Sequence, residues 1–483
     1  MTRITDVLAV PAMGACHCID LAALQDSRIP LAQRYTADPK TPGHHRVQET
    51  AEAVSVGLVL TSSDQPGSKR STSQIVWGDC VAVAHNGIAG REPVFRTADG
   101  LSAIRRQVGP CLKGQEVESF HDLATEIEAL THMIEVPAPP RGDFEDSRDV
   151  QIDEFSRRDL LTAPLRAFRA STEPSDSAAT EETAPTETIT VERPLHPAIR
   201  YGVSQALLKA VALARGRTLA EVIADEWNLP QPGRPIPLHA QVAASHRSID
   251  EMIIRQVDSL GYDLAPGPAV QPGGDAEELV QLVSWLRKRV EELGPDDYRP
   301  TIHLDVHGLL GRVYENNLGR ILGYLYRLES HVQPYQVRLE SPVIMRSREA
   351  QIETMKTLRE YVQFRKLGVQ LVADEWVNTL DDVNAFVATE AVDMIHIKMP
   401  HLGSVHNSID AVLSCKEGGV GALLGGSCTE TDISARVTAH VALAIMPAVI
   451  MAKPGAGVAT ATSILQNEMD RTLVAIQRAR PPY

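Results

Sequence analysis

TIHLDV at residues 301–306 begins the part of the sequence that most clearly predicts the fold, and YQVRLE (335–340) and VQLVAD (369–374) repeat its pattern. Each run is short, apolar and strand-like, and each has an acidic residue at or beside its end. The acids are Asp305, Glu340 and Asp374. They follow one another at intervals of about 35 residues, the length of one strand and helix unit. The pattern predicts parallel strands that alternate with helices.

The same pattern of strand-like runs separated by helical segments extends over the C-terminal half of the chain. Five further strand-like runs are IPLHAQ (236–241), VDSLGY (257–262), MIHIKM (394–399), VGALLGG (420–426) and AVIMAK (448–453). Helical patterns lie between the runs, so eight strands alternate with helices between residues 236 and 483. An α/β fold with a (β/α)8-like barrel is therefore predicted for this catalytic region.

The first part of the chain has a different pattern, in which apolar and polar residues alternate. The runs are ITDVLAV (4–10), AVSVGLVL (53–60) and SQIVWGDCVAV (73–83). Alternation is typical of strands with one buried face, so the runs predict a small antiparallel sheet. Helical spacing follows at residues 101–108 and 120–133. Residues 1–135 are therefore predicted to form an α+β domain.

Two segments connect these domains. Residues 136–193 include STEPSDSAATEETAPTETIT (171–190), which is nearly empty of large apolar residues. Such a composition cannot bury enough surface to offset the entropy of ordering, so we predict a largely disordered insertion, most clearly at about 170–192. Residues 194–235 contain two helical patterns and are predicted to form a helical connection to the barrel.

The overall composition argues against nucleic-acid binding, membrane insertion and secretion. The formal net charge of −15 and the lack of a basic stripe argue against nucleic acid as a partner. No run approaches the roughly 18 apolar residues that a membrane span needs, and the first residues lack the features of a secretory signal. A cytoplasmic protein without membrane association is expected.

The six cysteines are too scattered for a disulfide framework in a chain of 483 residues, so reduced thiols are expected. Cys16 and Cys18 of the Cys16-His17-Cys18 motif could both bind a metal ion, because alternate residues of a strand share a face. No second ligand pair with zinc-like spacing accompanies it. A structural role is the preferred interpretation.

Three acidic strand ends in consecutive units indicate a metal site. In a barrel the carboxyl ends of the strands meet at one face, so Asp305, Glu340 and Asp374 would converge. Converging carboxylates repel one another unless a cation neutralises them, and oxygen ligands favour Mg²⁺. The alternative is that each acid only caps the following helix, as aspartate often does. Three acids in succession favour the metal site.

The next strand-like run contains His396-Ile397-Lys398, and its two polar residues share one face. If that face is the barrel interior, Lys398 stands beside the metal. A nearby cation and partial burial both favour a neutral amine, which can act as a general base. The alternative is a surface lysine, but the surrounding run is too apolar for an exposed strand.

Several motifs together give a specific resemblance. They are LHPAIRYGVSQALLKAV (195–211), HLDVHG (303–308), LVADEWVNT (371–379), IKMPHLGSVHN (397–407), GGSCTET (425–431) and AKPGAGV (452–458). Through them the chain resembles the methylaspartate ammonia-lyases of the enolase superfamily, over nearly its whole length apart from the insertion. The resemblance implies an enolase-type barrel with an N-terminal capping domain, and a homodimer. It also implies that Asp305, Glu340 and Asp374 hold Mg²⁺ and that Lys398 is the base.

In that family a glutamine on the first barrel strand and a Thr-Cys pair on the seventh orient the amino acid. The corresponding residues here are Gln241 and Ser427-Cys428, so this side of the substrate pocket is retained. Considered without the family, Gln241 is equally well an ordinary buried amide and Cys428 a small core residue.

Three departures from the family fall on the other side of the pocket. His396 stands where the family has a glutamine, Tyr262 where it has a histidine, and Ala84 where its capping domain has a glutamine. We expect the neighbouring His85 to replace that amide in part. The departures predict a preferred substrate other than 3-methylaspartate itself.

The function implied by the resemblance is elimination of ammonia from an aspartate-like amino acid. Lys398 would remove the proton beside a metal-bound carboxylate, so the substrate would be a small amino acid or dicarboxylate. Two alternatives stay open. A dehydratase or racemase of the same superfamily would use the same metal and lysine, with His396 as an acid. A non-catalytic barrel scaffold is the other, against which the retained acids and lysine argue.

Overall fold

The computed structural model describes residues 2–24, 28–63, 71–137, 188–243, 245–264 and 274–479. The chain divides into two compact units. The larger unit contains Met1–Ala129 and His196–Tyr483, and the smaller contains Leu130–Leu195. Within the described ranges, no helix has both the length and the apolar character needed to cross a membrane.

A three-stranded antiparallel sheet begins the larger unit. Its strands are β1 (Thr2–Ile19), β2 (Gln48–Ser63) and β3 (Ser71–Val81), and β2 lies between the other two. The three predicted runs lie in these strands, so the predicted sheet is confirmed. The buried side chains of β2 include Val54, Val56, Leu58 and Leu60. Their period of two is that of a strand with one buried face.

Helices complete the N-terminal domain. They are Leu21–Leu24, Leu31–Thr36, Thr97–Ala103, Ile104–Val108, Gly109–Leu112 and Phe120–Glu128. Ser119 caps the start of the last one, because its hydroxyl accepts a hydrogen bond from the backbone N–H of Asp122. The predicted helix at 101–108 is confirmed. The one predicted at 120–133 ends earlier, at Glu128.

Two strands form the described part of the smaller unit. β4 (Thr131–Pro137) pairs antiparallel with β5 (Thr188–Pro194), with Pro137 opposite Thr188. The predictions of a helix to residue 133 and of disorder to about residue 192 were wrong at these residues. The physical reason is that β-branched residues recur along both segments and favour strand pairing. The rest of the predicted insertion, residues 138–187, lies outside the described residues.

A closed barrel of eight parallel strands forms the C-terminal part of the larger unit. The strands are β6 (Leu238–Ala243), β7 (Ser259–Asp263), β8 (Thr301–Asp305), β9 (Val337–Glu340), β10 (Val369–Ala373), β11 (Met394–Lys398), β12 (Gly421–Gly425) and β13 (Val449–Met451). All eight predicted runs are confirmed as strands. Each pairs with its neighbours in sequence order, and β13 pairs with β6 to close the barrel.

Helices precede the barrel and alternate with its strands. They are Pro197–Arg215, Leu219–Glu226, His246–Ile254, Gly274–Leu293, Leu309–Val313, Leu318–Val332, Arg348–Phe364, Leu380–Ala388, Met399–Leu402, Val405–Glu417, Asp432–Ile445, Pro454–Ala456 and Val458–Ala479. The first two lie within the segment predicted as a helical connection.

Apolar side chains fill part of the barrel interior. One buried cluster consists of Val372, Met394, Leu423, Val449 and Met451. On β11 the strand period puts His396 and Lys398 on the same face as Met394, so both point inward. The interior therefore changes from apolar to polar toward the carboxyl ends of the strands.

Glycines let the helix Pro197–Arg215 approach β3 closely. A Cβ atom at Gly202 would lie 2.4 Å from the backbone nitrogen of Cys80, and a Cβ at Gly78 would lie 2.1 Å from the carbonyl oxygen of Gly202. The two backbones are therefore in contact. This packing holds the sheet against a helix that leads into the barrel.

Gly202→Ala should lower the free energy of unfolding by about 1–3 kcal/mol, because the added methyl meets backbone atoms that cannot move aside. Gly323→Ala is the matched control, since Gly323 also lies in a helix and a Cβ there meets nothing within 4 Å. That change should raise the free energy by up to about 1 kcal/mol through helix propensity. Urea unfolding followed by circular dichroism measures both. Equal effects of the two substitutions would contradict the close packing.

Candidate active site

The three predicted acids lie on neighbouring strands at the carboxyl end of the barrel. Asp305 is the last residue of β8 and pairs with Glu340, the last residue of β9. Asp374 directly follows β10, which pairs with β9. Each of the three residues is at most 4% exposed. Such burial requires partners for their negative charges.

Two imidazoles bind the carboxylate of Glu340. His303 Nε2 lies 2.6 Å from one oxygen, and His396 Nδ1 lies 2.9 Å from the other. Burial alone would raise the pKa of Glu340, but the two histidines outweigh burial and hold that pKa well below its usual range. Glu340 is therefore an anion. His396 Nε2 is buried without a hydrogen-bond partner among the described residues.

Two cations share one oxygen of Asp374. Lys398 Nζ lies 2.5 Å and Arg91 Nη2 lies 3.0 Å from its Oδ2 atom. Burial would raise the pKa of Asp374, but the charges of Lys398 and Arg91 outweigh it and lower that pKa. The side chain of Lys398 is 15% exposed, so the lysine borders both the buried acids and the space above them.

A further acid faces Asp305 from β7. Asp263 pairs with Asp305 in register, and His307 lies between their carboxylates. His307 Nε2 is 2.7 Å from Asp263 Oδ1 and 3.4 Å from Asp305 Oδ2. Burial would lower the pKa of His307, but the two carboxylates raise it to about 10. His307 is therefore an imidazolium that links the two acids.

The sequence analysis missed Asp263, His307 and Arg91. Asp263 directly follows the predicted second barrel run, and His307 stands two residues after Asp305, so local signals existed for both. Nothing local distinguished Arg91, which lies more than 280 positions before Asp374 in the sequence. Its contact with the barrel arises only from the packing of the two domains.

Two groups of side chains at the barrel mouth have the chemistry and spacing of a metal site. One is Asp263, Asp305 and His307, and the other is Glu340, Asp374 and His396. In each group the ligand atoms lie within 4.8 Å of one another. Burial, with the nearby charge of Glu340, raises the pKa of Asp305 well above its usual range although His307 opposes the shift. A divalent cation would relieve this crowding of negative charge, so the residues fit a metal.

Gln241 lies on β6 and is 8% exposed. Its Oε1 lies 3.1 Å from His239 Nε2, and His239 Nδ1 lies 2.9 Å from Ser259 Oγ. Burial lowers the pKa of His239 well below its usual value, so this imidazole is neutral. A chain of buried polar groups therefore fixes the orientation of the Gln241 amide.

Ser427 and Cys428 lie on the turn after β12, at the junction with the N-terminal domain. Ser427 Oγ accepts a hydrogen bond of 2.8 Å from the backbone N–H of Ala84. The thiol of Cys428 donates a hydrogen bond to the sulfur of Cys16 on β1. The predicted substrate residues on this turn therefore depend on both domains for their positions.

A buried network supports this turn. Glu430 accepts hydrogen bonds from Lys453 Nζ at 2.9 Å and from the hydroxyl of Tyr201 at 2.6 Å. A Cβ atom at Gly426 would lie 0.9 Å from Glu430 Oε2, so no other residue fits there in this conformation. The network fixes the backbone that carries Ser427 and Cys428.

The structure separates Tyr262 from the other predicted site residues. Tyr262 pairs with Val242 and Leu304, whereas Gly261 pairs with Gln241. Neighbouring residues of a strand point to opposite faces, so Tyr262 faces away from the interior that Gln241 lines. The inward residue at the end of β7 is Asp263. We therefore withdraw Tyr262 as a substrate residue.

His85 lies beside His307 at the mouth of the barrel. Its ring packs edge to face on that of His307, with 5.7 Å between the ring centroids. Burial and the charge of His307 lower the pKa of His85 to about 3, so this imidazole is neutral. It can accept or donate a hydrogen bond without adding charge.

The Cys16-His17-Cys18 motif lies in β1. Cys18 is buried in a small apolar cluster with Ala51 and Val94, whereas Cys16 contacts Cys428. In the part of the chain that the structure describes, the only groups of three or more residues with metal-site spacing are the two at the barrel mouth. This favours the structural interpretation of the motif.

Comparisons with known proteins identify the family. The family model for the methylaspartate ammonia-lyase N-terminus matches residues 2–137 and 145–228, and the model for the C-terminus matches residues 230–478. This chain belongs to the methylaspartate ammonia-lyase family. The resemblance inferred from the sequence motifs is confirmed, and so is the barrel with an N-terminal α+β domain.

Similar proteins match the chain from end to end. Methylaspartate ammonia-lyase 1 of Carboxydothermus hydrogenoformans is 37% identical over 482 residues, which are 100% of this chain and 99% of the relative. The crystal structure of β-methylaspartase from Clostridium tetanomorphum, a Mg complex, has a TM-score of 0.76 and 31% identity and covers 99% of this chain and 100% of its own. The Citrobacter amalonaticus methylaspartate ammonia-lyase structure containing (2S,3S)-3-methylaspartic acid has a TM-score of 0.77 and 31% identity and covers 98% and 100%. This methylaspartate ammonia-lyase family member therefore shares both domains with its relatives.

Cys16 should be alkylated faster than Cys111 near pH 6. The hydrogen bond from Cys428 outweighs burial and lowers the pKa of Cys16 to about 5, whereas burial raises the pKa of the comparably exposed Cys111. Because the thiolate is the nucleophile, Cys16 is already reactive at a pH where Cys111 is protonated. Iodoacetamide labelling with peptide mass spectrometry compares the two, and Cys428→Ala should slow the labelling of Cys16. Faster labelling of Cys111 would contradict the thiol pair.

Proposed function

We propose that this enzyme is a Mg²⁺-dependent carbon–nitrogen lyase that eliminates ammonia from an aspartate-like amino acid. The observation that carries the proposal is the contact of Lys398 with Asp374, because it puts an amine, which is a base in its neutral form, beside the buried carboxylates. Membership of the methylaspartate ammonia-lyase family supports the class of reaction. The relatives reported above are named methylaspartate ammonia-lyase or β-methylaspartase, which gives no support to a dehydratase, a racemase or a scaffold.

The proposed metal ligands are Asp305, Glu340 and Asp374. All three are buried at the ends of adjacent strands, and carboxylate oxygens suit Mg²⁺. Bound Mg²⁺ would supply positive charge that polarises a substrate carboxylate and so acidifies the adjacent C–H bond. The Clostridium tetanomorphum relative, whose structure is a Mg complex, supports the choice of ion.

Lys398 would be the general base. Its amine lies at the boundary between the carboxylate cluster and the exposed side of the site, where the substrate carbon must lie. The amine would take the proton from the carbon next to one carboxylate. The electron pair of that C–H bond then forms the carbon–carbon double bond, and the C–N bond of the neighbouring carbon breaks. Ammonia and a fumarate-type acid result.

Gln241, Ser427 and Cys428 would bind the amino group and the carboxylate on the same carbon. The amide of Gln241 is oriented by His239, and the turn that carries the other two residues is held by Glu430. Such prior orientation lowers the cost of ordering the site when the substrate binds. His85 would contact the opposite side of the substrate, above His307.

His396 would contact the metal-bound carboxylate of the substrate. Its Nδ1 is bound to Glu340, which leaves the buried Nε2 as the nitrogen available for a substrate. An imidazole differs in shape and reach from the glutamine expected in this family. We therefore propose that it alters the substituent that the enzyme accepts on the substrate.

We also propose that the enzyme is a homodimer in the cytoplasm. The homodimer follows from the resemblance to the family, and the location follows from the composition of the chain. Sedimentation velocity would measure the mass of the assembly.

Removal of the metal and of the base should have separable effects on ammonia release. Excess chelator should abolish turnover, and added Mg²⁺ should restore it. Lys398→Met should lower kcat by at least about 10²-fold, the scale of general base catalysis, without loss of Mg²⁺ binding. Lys366→Met, at an exposed lysine, is the control and should leave kcat unchanged. Full activity in excess chelator would refute the requirement for a metal. Full activity of Lys398→Met would refute Lys398 as the general base.

His396→Gln should shift substrate preference toward 3-methylaspartate. The wild type should handle that substrate poorly, because the imidazole has a different shape from the amide that it replaces. The measurement is the ratio of kcat/KM for 3-methylaspartate to kcat/KM for other β-substituted aspartates. Efficient turnover of 3-methylaspartate by the wild type, with no change in His396→Gln, would show that the substitution is neutral.

A further inference from the structure

Arg91 lies on the loop between β3 and the helix Thr97–Ala103, and this loop reaches the barrel. It is folded on itself by hydrogen bonds from Gly87 N–H to the Glu92 carbonyl and from Arg91 N–H to the Ile88 carbonyl. Gly90 has a φ of +76°, a left-handed conformation that favours glycine. The tight turn directs the arginine side chain away from its own domain.

The guanidinium of Arg91 is buried at the acidic cluster. Its Nη2 donates to Asp374 Oδ2 at 3.0 Å, and only 2% of its side chain is exposed. Its Nε has no hydrogen-bond partner among the described residues. A buried guanidinium with an unpartnered donor costs stability, so its position here calls for a functional reason.

The same loop binds the segment that carries Asp374 at a second point. Asn378 Nδ2 donates to the carbonyl of Ala89 at 2.8 Å. A Cβ atom at Gly90 would lie 3.1 Å from Asn378 Nδ2 and 3.2 Å from the ring of Trp376, so the loop lies directly on residues 374–378. The N-terminal domain therefore contacts both the Asp374 carboxylate and the Asn378 side chain of this segment.

The side chains that bind the three proposed metal ligands come from different domains. The described side-chain partners of Glu340 and Asp305 come from the barrel, namely His303, His396 and His307. Asp374 has Lys398 from the barrel and Arg91 from the N-terminal domain. Lys398 is the proposed base and must be free to exchange a proton with the substrate. Arg91 is a planar, permanently charged group that can keep one orientation throughout.

We propose that Arg91 is a positioning residue that orients the Asp374 carboxylate for the metal. It binds Oδ2 and so leaves Oδ1 available as a ligand. The affinity for Mg²⁺ would then depend on the N-terminal domain. This inference rests on the proposed function. Partners that orient metal ligands typically contribute about 10–100-fold to metal affinity or activity.

The test is isothermal titration of the full-length protein with Mg²⁺. Arg91→Met removes the charge and the donors at similar volume, and it should weaken Mg²⁺ binding by about 10–100-fold. Arg91→Lys keeps the positive charge but lacks the planar guanidinium with its several donors. Its affinity for Mg²⁺ should lie between that of Arg91→Met and that of the wild type. Arg96→Met is the matched control, because Arg96 binds Glu49 and Glu52 within the N-terminal domain, and it should leave Mg²⁺ affinity unchanged.

Kinetics distinguish positioning from general damage. Arg91→Met should raise the Mg²⁺ concentration for half-maximal activity, while kcat at saturating Mg²⁺ stays within a few-fold of the wild-type value. Wild-type Mg²⁺ affinity in Arg91→Met, or an equal loss in Arg96→Met, would overturn the inference while the proposed function stands. Absence of Mg²⁺ binding by the wild type would overturn the proposed function and the inference with it. Thermal melting of each variant verifies that the protein titrated is folded.

Discussion

The structure of the barrel mouth depends on the repulsion between carboxylates buried side by side. Asp263, Asp305, Glu340 and Asp374 end or follow four adjacent strands, and the last three are at most 4% exposed, so water screens their charges poorly. Each needs a donor or a cation within hydrogen-bond distance, and the chain supplies histidines, a lysine and an arginine. These groups come from both domains, so the charge requirement determines which parts of the chain must meet. The charges of the site are therefore balanced only when the two domains are packed against each other.

The N-terminal domain contributes to the site at three kinds of contact. A backbone N–H binds Ser427, a sulfur accepts from Cys428, and a guanidinium binds Asp374. The close packing of Gly78 and Gly202 keeps this domain in place against the helix that enters the barrel. A barrel without the N-terminal domain would lack partners for buried polar groups on two different turns.

The sequence predicted the parts of the structure that rest on local periodicity. Eight strands and three strand-end acids could be recognised because short apolar runs recur with helical patterns between them and the three acids are evenly spaced. Tyr262 was assigned by alignment to a family position, but strand register turns it outward and brings Asp263 inward instead. Arg91 could not be predicted, because its role depends on a contact between distant segments. The end of the helix at Glu128 was misjudged because the apolar residues after it fit both a helix and a strand, and pairing with β5 favours the strand.

The pairing of β4 with β5 has a consequence for the architecture of this chain. Pro137 and Thr188 stand opposite each other, so the chain leaves and returns at one place. The entropy of closing such a loop grows only slowly with its length, and additional residues there need no change in the strands themselves. The smaller unit is thus a natural point at which a whole foreign domain, such as a fluorescent reporter, could be spliced into this enzyme without redesigning the barrel.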